Sequence, residues 1–161
     1  MEQSRQKLSA LLHGSALPPP PRNRAMIFGA IAAIAWAVAS GIAGYTHELR
    51  VAHLTIASGV FVGMAIIRAK GYGMRLMSSA AMLTVFSIVL ANFVNYYVIT
   101  ISGDPAKANP GSFFDHLQAT SGMMDLAFAA VSVAAAVGLI HRRTAKLEHR
   151  AKAKMLAERQ P

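Results

Sequence analysis

Apolarity and positive charge are sorted into alternating blocks along this chain. Four runs without lysine or arginine cover residues 26–45, 51–67, 76–101 and 119–140, and short basic segments separate them. A helix needs about 20 apolar residues to cross a hydrocarbon core of about 30 Å. Each run is long enough or nearly so. The third has length to spare for tilting. The sequence therefore predicts an all-α polytopic membrane protein, a four-helix transmembrane bundle occupying 25–141. A basic tail with a proline spacer (1–24) would precede it and a second basic tail (142–161) would follow.

Orientation follows from where the cations lie. Of the 16 lysines and arginines, the N-terminal segment holds four, the turn after the second run three and the C-terminal segment seven. Arg50 and Lys107 alone fall in the other two connections. Four alternating spans put fourteen of the sixteen on one side, the positive-inside pattern of an N-in, C-in protein. Arg68, Lys70, Arg75, Arg142 and Arg143 then face the cytoplasm at the membrane surface. The tails are expected to touch anionic lipid headgroups.

Composition narrows the function classes. The net charge of +9 raises the question of nucleic acid. The cations are confined to tails and one turn, without interleaved aromatics, so no nucleic-acid partner is expected. The chain has no cysteine, which removes disulfides, thiol nucleophiles and thiolate metal sites. No HExxH motif or glycine-rich phosphate loop occurs. The dipeptides Ser58-Gly59 and Ser121-Gly122 lack the surrounding motif of an intramembrane serine enzyme. His47, His53 and His116 all fall near the outer ends of the spans, where they cannot form a mid-membrane axial pair for haem. No enzyme activity, cofactor or metal is expected.

The N-terminal stretch places Leu8, Leu11 and Leu12 on one side of a helical wheel, which suits a short interfacial helix or a basic tail. Pro18 to Pro21 follow as a stiff spacer. The lead before the first run is too long and too charged for a signal peptide, although AVAS resembles a processing site.

Two patterns inside the spans bear on function. Gly29, Ala33, Ala37 and Gly41 recur at four-residue spacing in the first span, and Gly59 and Gly63 form a GxxxG pair in the second. Small residues so placed let helices approach closely. The second pattern is polar. His53 lies just inside the outer end of its span, and Asn95 and Asp125 each fall six residues from theirs, about 9 Å deep. Asn92 lies one turn deeper than Asn95. Asp125 shares a stripe with Gly122, Ala129, Ser132 and Ala136, which directs it into the bundle, within reach of His53 or Asn95. One reading makes this cluster a lock that fixes helix order. Another makes it a site for a proton, ion, quinone headgroup or small solute, since an acid and an imidazole in a dry site exchange protons near neutrality. A third leaves Asp125 in water at the interface.

Residues from the second span to the fourth resemble a group of uncharacterised bacterial four-span inner-membrane proteins. The resemblance rests on IASGVFVGMAI, the basic turn RAKGYGMR, a proline-containing outer loop and a last span opening MDLAFAAVSVAAA, over about 90 residues. It implies the four-span architecture, with Asp125 as its acidic residue, and no activity. The expected role is an accessory or scaffolding subunit of the bacterial inner membrane that packs with other membrane proteins or itself. The alternatives are a dimeric transporter or channel using Asp125, His53 and Asn95, and a sensor or assembly factor acting through the basic C-terminal tail.

Overall fold

The computed structural model describes residues 20–46, 51–103 and 111–157. These form five helices and no strand, so the described chain is all-α: α1 (Arg22–Thr46), α2 (Val51–Arg68), α3 (Met74–Ser102), α4 (Phe113–Thr120) and α5 (Met123–Ala157). The leucine-bearing N-terminal stretch and the side chain of His53 lie outside the described residues.

Three helices are long and apolar enough to cross a membrane: α1, α3 and the Met123–Lys154 part of α5. The apolar stretch of α2, Leu54–Arg68, is shorter. The fourth apolar run is not one uninterrupted helix. The chain breaks at Ser121–Gly122, where a short helix ends and a 35-residue helix begins. That long helix carries the last apolar run and most of the basic tail without interruption.

The four long helices form a ring in the order α1, α2, α5, α3, with α2 and α3 also meeting across the middle. Among the described residues α1 and α5 do not touch. The polarity of the packing is inverted relative to a water-soluble bundle. Along α1, Ala25, Gly29, Ala33, Ala37, Ser40 and Gly41 face inward. Ile27, Ile31, Ile34, Val38 and Ile42 face outward, with Ile31 61% exposed. On α3, Leu76, Ala80, Thr84, Ser87, Ala91 and Asn95 are buried, whereas Met82, Val85, Phe86, Val89 and Phe93 are exposed. Water would drive the isoleucines and phenylalanines inward. A lipid solvent removes that drive and leaves close packing of small residues and interhelical hydrogen bonds to hold the helices together.

The RAKGYGMR turn closes tightly at the end of α2. Gly71 N–H donates to the Ile66 carbonyl and Lys70 N–H to that of Ile67, both at 2.9 Å. Paired bonds of this kind cap a helix through a left-handed residue, usually glycine. Here that residue is Lys70, at φ 63°. Gly71 is buried, and a Cβ there would crowd Ala25 of α1. The turn is also fastened to α5, since Gly73 N–H donates to Thr144 Oγ1 at 2.9 Å.

Candidate functional site

Several inward polar groups bond neighbouring helices rather than one another, while Ser40 and Thr84 bond carbonyls of their own helices and the buried Ser58 hydroxyl has no hydrogen-bond partner. Asn95, 7% exposed, donates from Nδ2 to the Gly41 carbonyl at 3.1 Å, joining α3 to α1. Two turns below, Ser87 Oγ donates to the Ala33 carbonyl at 2.9 Å. Both bonds exist because α1 offers only small residues on that face, so its backbone oxygens are within reach. A Cβ at Gly41 would lie 2.7 Å from the Ala91 carbonyl oxygen.

The contact between α2 and α5 is closer still. Ser132 Oγ donates to the Thr55 carbonyl at 2.6 Å and accepts from Gly59 N–H at 2.8 Å. Thr55 and Gly59 are the two ends of one helical step, so a hydroxyl from α5 is set into the backbone ladder of α2. A Cβ at Gly59 would run into the Ser132 carbonyl. Trp36 ties α1 to α2 by donating from Nε1 to the Leu54 carbonyl at 3.0 Å, while its ring stacks on Phe61 at 4.4 Å. Gly29 and Gly63 likewise meet neighbouring helices, through Ile66 and Leu139. The small-residue stripes are thus occupied inside the chain.

The remaining members of the expected polar set go elsewhere. Asn92 donates to the Ile88 carbonyl of its own helix. Asp125 lies in the first turn of α5, since that helix starts at Met123, and its Oδ2 accepts from Gly122 N–H at 2.6 Å. Among the described side chains no hydrogen bond joins Asp125 to Asn95 or Asn92. An acid three residues past a helix start satisfies one of the orphan amide donors and suits the positive end of the helix dipole. Ser121 and Gly122, which lack the motif of a serine enzyme in the sequence, form the break that makes this cap.

The same device opens α4. Ser112 Oγ accepts from Asp115 N–H at 3.2 Å, and Asp115 Oδ2 accepts from the Ser112 amide at 3.1 Å and hydroxyl at 2.6 Å. The Ser112 hydroxyl, and then its amide, hold the Asp115 carboxyl below its ordinary proton affinity. SFFD and GMMD, ten residues apart, are therefore two helix starts of one design.

Between these starts α4 packs on the C-terminal end of α3 through an aromatic group. Phe113 meets Phe93 and Tyr96 edge-on at 5.4 and 5.8 Å, and Tyr96 OH donates to the Gly111 carbonyl at 3.0 Å. His116 is only 5% exposed, lies 5.7 Å from the Tyr96 ring and has a buried Nε2 without a hydrogen-bond partner. Burial pushes its proton affinity below the ordinary histidine value. Sequence reasoning set His116 aside with haem. The Ser112-x-x-Asp115 spacing was the available sign that a helix begins there and turns His116 toward the protein.

At the opposite end Arg68, Lys70, Arg75 and Arg142 are exposed, and Arg143 is half-buried with an unpartnered Nε. Among the described residues no group of three or more His, Cys, Asp or Glu is placed to hold a metal. Comparison with protein-family models, curated proteins and solved structures finds no match to this chain.

Proposed function

We propose that this protein is a four-span bundle of the bacterial inner membrane, with both termini in the cytoplasm. Its role is that of a non-enzymatic accessory subunit that presents its apolar flanks to other membrane proteins or to further copies of itself. The observation that carries this reading is the use of the interior polar groups. Ser87, Asn95, Ser132 and Trp36 are committed to bonds between helices. They hold the bundle and, among the described residues, leave no assembled constellation for chemistry. Because the small-residue stripes are filled within the chain, partners meet the large outward residues of α1 and α3 instead. Charge sorting supports the orientation, which brings the RAKGYGMR turn and the base of α5 to anionic headgroups.

Cross-linking in native membranes, followed by gentle extraction, tests the role. The expected result is a defined larger complex, or a homo-oligomer, that survives purification. A lone monomer with no cross-linked neighbour overturns it. Single cysteines at Lys70 and Ser102, in a chain that otherwise has none, test the topology. Only Ser102→Cys should react with a membrane-impermeant thiol reagent in intact cells. A rival reading as a proton or cation transporter through Asp125, His53 and Asn95 predicts ion flux in vesicles that Asp125→Asn abolishes.

A further inference from the structure

We propose that α4 is an acid-released latch, docked on α3 while His116 is neutral and set free when the imidazole takes a second proton. The inference is independent of the accessory role and uses the proposed topology only to name the compartment sensed, the outer one.

Among the described residues nothing in the docked state is placed to hold an imidazolium. α4 touches α3 and no other described element, so among the described residues this contact and the Ser121–Gly122 link to α5 set its placement. His116 is at the centre of that contact, and its Nε2 is sealed from solvent without an acceptor. The titratable group facing it from α3 is Tyr96, whose hydroxyl already donates to Gly111. Tyr97, one residue on, is exposed and stacks on Phe93. On α4 itself Asp115 turns its carboxylate to Ser112, and beyond the break Asp125 turns its own to Gly122. Among the described residues no carboxylate is therefore offered to a charged His116. Protonation leaves a buried cation with no described partner, which disfavours the docked state relative to the undocked one, where water solvates the charge.

The sign is set by the same facts. The docked state binds its proton less readily than the free helix, in which His116 titrates near the ordinary value of about 6.5. Docking is at full strength above that value. It weakens by up to about tenfold per pH unit as pH falls below it, until the docked imidazole also titrates. Asp115 acts in a separate range, since its cap is lost only below its ordinary 3.8.

Spin labels on cysteines at Thr100 and Gln118, both exposed, report the distance between α3 and α4 in lipid nanodiscs. The expected result is one short distance near pH 8, replaced largely by a longer, broader distribution at about pH 4.5, above the Asp115 range. His116→Phe should keep the short distance at both values, and His53→Ala should respond as the parent does. An unchanged distance in the parent overturns the latch, and so does a response that survives in His116→Phe. Should that variant fail to fold, the imidazole titration followed by NMR in the parent decides. A ring that protonates with the distance unchanged sinks the proposal, and one that protonates in step with the lengthening supports it.

Discussion

At the scale of single residues, the contact between Gly59 and Ser132 carries the sharpest energetic consequences. The two backbones are so close that any side chain at 59 displaces the α5 main chain. Overpacking in a well-filled core costs about 1–3 kcal/mol, and the obstacle here is backbone, which cannot turn aside. Gly59→Ala should lower the stability of the bundle in mixed micelles by at least that much. Ser132→Ala should cost far less, about 0.6–1.7 kcal/mol, the usual range for a hydrogen bond between membrane helices. Without the hydroxyl, the Thr55 carbonyl and Gly59 amide remain one helical step apart and can satisfy each other within α2, which offsets most of the damage. Unfolding by SDS titration, followed by the fluorescence of Trp36, measures both. If Ser132→Ala proved the more damaging of the two, the hydroxyl rather than close approach would hold α2 to α5.

At the scale of helices, the starts of α4 and α5 explain what sequence reasoning reached and what it missed. The apolar runs are legible because bilayer thickness sets their length, and the helical spacing of Thr84, Ser87, Ala91 and Asn95 marks one stripe of α3 in the sequence. All four are indeed on its buried side. The break at Ser121–Gly122 was not legible from hydropathy, because a window averaged over a span passes across two residues. Asp125 was in consequence counted six residues inside a helix that begins only two residues before it. The clue lay in local chemistry, a serine or glycine followed three residues later by aspartate, twice. As a cap, Asp125 should tolerate Asn better than Leu. Asp125→Leu should cost about 1 kcal/mol of stability, typical of a lost helix cap, while Asp125→Asn should retain most of it through its amide oxygen. Equal losses from both changes would mean that the negative charge, rather than the hydrogen bond, matters at that position.

For the whole molecule, the decisive property is that α1 and most of α3 turn small residues inward and large ones outward, even though Val62, Ile66, Leu76 and Ile140 fill the core where the helices meet. A water-soluble bundle would lose stability whenever an isoleucine in its apolar stripe was cut back, because that stripe is its core. Here the isoleucines of α1 point away from the chain, and Ala25, Ala33 and Ala37 touch it. Ile31 is 61% exposed, and Ala33, fully buried, lies where Ser87 of α3 reaches the α1 backbone. Ile31→Ala should therefore leave unfolding in mixed micelles within about 0.5 kcal/mol of the parent, as expected away from packed contacts. Ala33→Leu adds volume where two backbones nearly meet and should destabilise by about 1–3 kcal/mol. The pair discriminates because hydrophobicity alone ranks the changes in the opposite order: the first removes apolar surface and the second adds it. A larger loss from Ile31→Ala than from Ala33→Leu would mean that α1 buries its isoleucines against another protein surface. The flank proposed here for partners would then already be occupied in the purified protein.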